Sequence, residues 1–167
     1  MNAIYSRRSI RKYKDTPIAL HQINQVIRAG TYAPSAGNEK PWHFIVITNR
    51  ETMEAITAFH PHTQMLKLAP VAIIACADLT NVKYDGNFWI QDMSAAVQNM
   101  LLEATTMNLG SCWCGVYPNP LFVEKLSKLL ALPSNIIPTA IVALGVADEA
   151  RDVKERFDET RIHFEKW

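Results

Sequence analysis

Arg7-Arg8-Ser9-Ile10-Arg11-Lys12-Tyr13 sets three guanidiniums and one hydroxyl within five residues near the N-terminus. A guanidinium is a planar fork of donors that meets phosphate oxygens two at a time, and a serine hydroxyl or a backbone N–H completes such a cage. A short basic run is equally the composition of a solvated face or a weak nucleic-acid patch, so the run alone leaves both readings open. Three later stretches carry further polar and sulfur chemistry: Ala33 to Trp42 (APSAGNEKPW), Gly110 to Gly115 (GSCWCG) and Lys154 to Phe157 (KERF). A catalytic thiol needs a depressed pKa and a base beside it. No such base is evident for Cys112 or Cys114, so a nucleophilic cysteine is not expected. His60-Pro61-His62 lacks carboxylate or thiolate partners at ligand spacing, and a metal is not expected there. The six glycines form no G-x-G-x-x-G, no P-loop and no nucleophile elbow, which removes a Rossmann dinucleotide domain and an α/β-hydrolase triad from consideration.

The 167 residues, 49% of them hydrophobic, with a formal charge of +1, point to one domain spanning 1–167 with a real core. Near-neutral charge argues against a nucleic-acid partner. No run approaches the roughly 20 apolar residues of a membrane span, no apolar segment follows the first residues as a leader would require, and three cysteines with an odd one out suit a reducing compartment. A cytoplasmic protein without nucleic-acid or membrane partners is the expectation.

The elements that must position these groups follow from periodicity. Leu20, Ile23, Val26, Ile27 and Gly30 recur at helical spacing until Pro34 bars continuation. Residues 33–41, with Pro34, Ser35, Gly37, Asn38 and Pro41, are loop chemistry. His43 to Thr48 reads as a buried strand, and Asn49 as the cap of a short helix through Phe59. Val71 to Asp78 reads as a central strand with Cys76 as inert packing. From Phe88 to Asn108, Trp89, Met93, Ala96, Val97, Met100, Leu101, Ala104 and Met107 hold a three-and-four spacing over about five turns, predicting the core helix. Phe88 and Trp89 suit either core packing or the roof of a flat ligand, and Gly110 is expected as the left-handed stop. Ser111 to Val116 reads as a strand, with the sulfurs of Cys112 and Cys114 expected on opposite sides. Asn119-Pro120 opens a helix with Phe122, Leu126, Leu129 and Leu130 on its apolar face, and Pro138 to Gly145 is the last strand. Residues 148–167 are charged and then aromatic, with Phe157, Phe164 and Trp167, which is not how a free tail is built.

Taken together, R-R-S-x-R at 7–11, P-S-x-x-N-x-x-P-W at 34–42, the Gly110 to Gly115 stretch and Lys154 to Arg156 resemble the FMN-dependent nitroreductase family over nearly the whole chain. Lys40 stands where many members have glutamine, and Phe157 where many have proline. The resemblance implies an α+β fold with a central, mostly antiparallel sheet flanked by helices, in an intertwined homodimer whose C-terminal arm, 148–167, wraps the second subunit. It implies FMN as cofactor, NADH or NADPH as electron donor, and ping-pong passage of hydride equivalents to a small acceptor such as a nitroaromatic, quinone or enone. In that pattern Arg7, Arg8, Lys154 and Arg156 neutralise the flavin phosphate and Ser9 donates nearby. Arg11 meets the N1 and C2 carbonyl edge, and the backbone of Cys114, Gly115 and Val116 donates to the O4 and N5 edge. Pro34, Ser35 and Asn38 line the ring from the other protomer. A flavin-binding protein without turnover, such as a redox sensor or FMN carrier, would share the phosphate contacts.

Overall fold

A computed structural model describes residues 2–167. Short helix α1 (Ala3–Ser6) is followed by α2 (Leu20–Thr31), β1 (Trp42–Ile47), α3 (Arg50–Phe59) and β2 (Val71–Asp78). Helix α4 (Trp89–Thr106), β3 (Gly110–Gly115), α5 (Pro120–Leu129) and β4 (Ile136–Gly145) complete the regular elements, with single 3-10 turns between them. The sheet order is β1-β2-β4-β3 and each of its strand pairs is antiparallel; among the described residues the one parallel pairing is an isolated bridge between Ser9 and Ser111.

The continuous apolar runs of β2 and β4 have a direct cause, because helices cover both faces of the two middle strands. On one face Ala72, Ile74 and Cys76 of β2 and Ile141 and Ala143 of β4 pack with Met53 and Ile56 of α3, Leu126 of α5 and Leu66. On the other, Ile73, Ala75, Val142 and Leu144 pack with Ile23 and Val26 of α2 and with Met93, Val97, Met100 and Leu101 of α4. Two faces that both require apolar side chains cannot show the alternation of a half-exposed sheet. Gly30 sets the close approach of α2 to α4, since a Cβ there would stand 2.9 Å from Cγ of Met100.

Helix caps form where side-chain chemistry asks for them: Asn49 accepts from Thr52 N–H, and Asn119 accepts from Leu121 and Phe122 N–H. Four expectations need correction. The strand predicted as buried at His43 to Thr48 is the outer strand β1, with His43 and Val46 exposed, because the helical layers only partly roof the sheet margin. The left-handed residue that stops α4 is Asn108, at φ 57°, a residue type whose short amide tolerates that region. Gly110 instead begins β3, where a Cβ would meet Ile10 Cγ2 at 2.8 Å. Cys112 and Cys114 lie on the same side of β3, in the same cluster, because positions two apart in a strand share a face. Leu129 is more than one-third exposed, so the buried stripe of α5 is narrower than its apolar pattern.

Candidate functional site

Strand β3 is an edge strand, and the first residues of the chain occupy only part of its free side. Ile10 N–H donates to Ser111 C=O at 3.0 Å. Backbone direction alternates along a strand, so Trp113 and Gly115 also turn their N–H and C=O away from β4. Beyond Ser111 this edge opens onto a cavity of about 690 Å³ lined by Arg11, His60, Met65, Trp113, Cys114 and Gly115, among others. At Gly115 a Cβ would meet nothing within 4 Å. Glycine is therefore not demanded there by packing, and its bareness leaves a flat ligand room to approach the main chain.

The opposite wall, residues 60–68, is pinned to this strand at two points. His60 is buried, its Nε2 donates to Gly115 C=O at 2.8 Å, and its ring stacks on Phe122 with centroids 4.1 Å apart. Cys114 Sγ donates to His62 C=O at 3.3 Å and lies 3.7 Å from Met65 Sδ. A hydrogen bond from Cys114, then the charge of Arg11, a hydrogen bond from Ser9 and the charge of Arg7, outweigh burial and hold the Cys112 thiol down to about 7. The same coupling and burial push Cys114 up. Val116 N–H donates to Thr139 C=O at 3.0 Å. Of the three backbone donors expected at this wall, Val116 is thus already committed, and the outward donor is Gly115 N–H.

A second cavity, also about 690 Å³, is lined by Arg7, Arg8, Lys154 and Arg156, with Tyr5 and Phe157 beside them. The arm reaches it because residues 146–149 run against Lys12 to Lys14: Lys14 N–H donates to Val146 C=O, Asp148 N–H to Lys12 C=O, and Arg11 N–H to Glu149 Oε1 at 2.6 Å. That last bond is the main reason the Glu149 carboxyl titrates below its ordinary range. Arg8 is a strut, donating from Nε to Asp152 C=O and from one terminal nitrogen to the carbonyls of Tyr5 and Arg7. Among the described residues Arg7 makes no such bond. Its pKa is lowered by partial burial first and by the nearby charges of Arg156 and Arg8 next. Among the described residues none of Arg7, Arg8, Arg11, Lys154 and Arg156 forms an ion pair. Glu155 also lines this cavity, but its carboxylate accepts from the N–H groups of Arg156 and Phe157; clustered cations without an ion-pair partner favour an anion between them.

The other expected residues lie apart from these two cavities. Ser9 is bridged to Ser111 and lies beside Cys112, which the charges of Arg11 and Arg7 also reach. The loop with Pro34, Ser35 and Asn38 rests on the first turn of α4, where Asp92 Oδ1 accepts from Ala36 N–H at 2.9 Å. Ser35 Oγ accepts from Lys40 N–H, and Gly37, Asn38 and Lys40 all adopt positive φ. None of these loop residues lines either cavity of its own chain. Sequence reasoning passed over His60, Met65, Trp113, Glu149 and Asp92 as site residues. His60 and Glu149 find their partners 55 and 138 residues away, and Asp92 and Met65 theirs 56 and 49 away, separations that no local pattern signals.

The site thus combines a cationic cleft with an exposed strand edge, the pair of features that a phosphorylated ligand with a flat ring would need. The sequence profile of the nitroreductase family matches residues 4–69 and 60–146, and the chain belongs to that family. It is 46% identical over 167 residues, all of this chain and 87% of the relative, to a candidate NADH dehydrogenase/NAD(P)H nitroreductase of Methanothermobacter thermautotrophicus. Among solved structures, a candidate NADH oxidase from Clostridium acetobutylicum superposes with a TM-score of 0.94 at 40% identity, covering 99% of each chain. A candidate nitroreductase from Desulfovibrio desulfuricans, in complex with FMN, superposes with a TM-score of 0.84 at 28% identity, covering 99% of this chain and 95% of that one.

Proposed function

We propose that the chain is an FMN-dependent NAD(P)H oxidoreductase that passes hydride equivalents to a small electron acceptor of the nitroaromatic, quinone or enone class. The observation that carries this reading is the joining of the two cavities by one segment, Arg7 to Arg11. Four unpaired cations stand at one end, and at the other the bare Gly115 edge is flanked by Arg11. FMN supplies hydride acceptance and donation when bound, and family membership with an FMN-bound relative supports that choice of flavin.

The protein's part is grip, orientation and charge. Arg7, Arg8, Lys154 and Arg156 hold the phosphate, Arg11 supplies positive charge where reduction leaves negative charge on the ring, and Gly115 N–H donates to the opposite ring edge. Ser9 stands behind this wall, close to Cys112. The loop of Pro34, Ser35 and Asn38 serves the second subunit of a homodimer, which accords with its distance from its own chain's cavities. The exposed aromatics of the arm are the surface that dimer covers. No helix among the described residues is long and apolar enough to cross a membrane. We place the protein in the cytoplasm, where its three free cysteines stay reduced.

Chromatography of the flavin released on denaturation is the first test, with FMN expected; FAD, or a colourless protein that refuses added FMN, overturns the reading. Steady oxidation of NADH or NADPH with an acceptor panel separates the enzyme from a non-catalytic flavin carrier, which shows no turnover.

A further inference from the structure

The wall behind Gly115 contains a buried imidazole that the functional reading leaves unassigned. His60 is 1% exposed and held from several sides. Its N–H donates to Ile56 C=O at the end of α3, its own C=O accepts from Thr63 Oγ at 2.7 Å, its ring stacks on Phe122 of α5, and Nε2 reaches Gly115 C=O at 2.8 Å. A carbonyl only accepts, so Nε2 carries the proton. Nδ1 is buried without a partner among the described residues. Such an arrangement costs desolvation and is out of proportion to a packing role, which an apolar ring on Phe122 would fill.

What the bond fixes is the end of the edge strand. Gly115 is the last residue of β3; beyond it Val116 and Tyr117 N–H both turn to Thr139 C=O. A glycine without a neighbour within 4 Å of its Cβ position has the widest backbone freedom of any residue. Without the imidazole only the strand pairing on its far side would set its orientation. With its carbonyl held by His60, the N–H on the same outward side is aimed into the cavity.

We propose that His60 is a positioning residue of the flavin site: by holding the Gly115 carbonyl it presents the Gly115 N–H to the carbonyl edge of the bound ring. The inference rests on the flavin reading for its consequence and on the 2.8 Å contact for its geometry. A donor fixed at an oxygen that gains electron density on reduction favours the reduced ring, so His60 raises the flavin's midpoint potential through a residue it touches only by hydrogen bonding.

The test uses the full-length holoenzyme and three variants. His60→Phe keeps a ring against Phe122 and removes the donor; the midpoint potential should fall by about 30 mV, a tenfold loss of preference for reduced over oxidised FMN for a two-electron couple. His60→Gln restores a side-chain N–H donor and should recover most of that shift. Phe122→Leu removes the stack and leaves the donor, and should leave the potential unchanged. An unchanged potential in His60→Phe, or an equal fall in Phe122→Leu, overturns the proposal. Should His60→Phe fail to fold, a fall in His60→Gln as large as the one expected for His60→Phe overturns it as well. The 13C shift of the Gly115 carbonyl in flavin-free protein separates this failure from failure of the flavin reading, because it reads the His60 hydrogen bond directly. It should move in His60→Phe and return in His60→Gln, and identical shifts in all proteins overturn the clamp itself.

Discussion

The two cavities have about the same volume and opposite construction. The one along β3 is walled by groups whose positions are fixed many times over: a strand paired with β4, an imidazole bonded and stacked, and a thiol bonded to the facing segment. The cationic one has for its second wall residues 151–157, all exposed, tied down chiefly by Arg8 reaching the Asp152 carbonyl. A flat ring is recognised by shape and by donor direction, which only a rigid wall supplies. A phosphate is recognised by charge, and flexible cations can close on it. The chain thus presents one wall held rigidly by its own contacts and one held loosely.

The most drastic way to break this contrast is to delete residues 158–167. Phe164 and Trp167 are 86% and 100% exposed, and each fully buried large side chain contributes about 1.5–3 kcal/mol, so the deletion removes apolar surface that the proposed dimer would cover. Sedimentation should show dissociation with loss of bound flavin, while the melting of the sheet core stays put. A truncated protein as dimeric and as yellow as the intact one would show that the arm is not an interface. Next in size is Arg7→Ala, which should weaken FMN ten- to a hundredfold, since a charge-assisted hydrogen bond contributes about 1.5–3 kcal/mol and each 1.4 kcal/mol is tenfold. Arg8→Ala sharpens the comparison. Because Arg8 spends its donors on three carbonyls, its loss should lower the melting temperature of the flavin-free protein, whereas loss of Arg7 should not. Identical calorimetric traces for the two variants would refute the distinction. Smaller again, Arg11→Gln should leave FMN affinity within about tenfold yet make the flavin harder to reduce, by roughly 30 mV for a tenfold change in the two-electron couple. Spectroelectrochemistry reads the sign, and a rise removes Arg11 from the ring edge.

Legibility divides along the same line. The core helix, both middle strands and the Asn49 and Asn119 caps could be read from the chain because each is a local pattern that the packing does not override. The clustering of Arg7 and Arg8 was visible in one dimension, and the structure brings Lys154 and Arg156 to the same cavity, a meeting that only the family resemblance implied. The rigid wall was not legible. His60 had no role in the sequence once a metal was set aside, and it gained one only where its nitrogen meets a carbonyl 55 residues away; Cys114 became a tie to the facing segment only once residues 60–68 folded across it. Edge status was hidden too: the apolar composition of β1 is that of a central strand, and only the sheet order exposes it.

The smallest effect belongs to the paired thiols, and it tests whether the rigid wall is also electrostatically tuned. Cys112 is held down to about 7, first by the Cys114 hydrogen bond, against an ordinary value of 9.0. Its folded-state pKa lies below the unfolded one, so both states carry the proton under about pH 7 and the group then contributes nothing to stability. From about pH 7 to 9 the native protein ionises first, stability rises with pH, and the gain is complete above 9; it is lost again as pH falls back through 7. The melting temperature of the wild type should therefore climb across that window relative to Cys112→Ser, and thiolate absorbance should show one group titrating near 7. Cys114→Ala removes the leading cause and should move that midpoint upward while leaving FMN affinity and turnover within about threefold, under 1 kcal/mol. A midpoint near 9 in the wild type would mean that burial of Cys112 outweighs its donors. Loss of turnover in Cys114→Ala would transfer the chemistry from the flavin to sulfur, because the ring-side wall would then contain a reacting group and not only positioning ones.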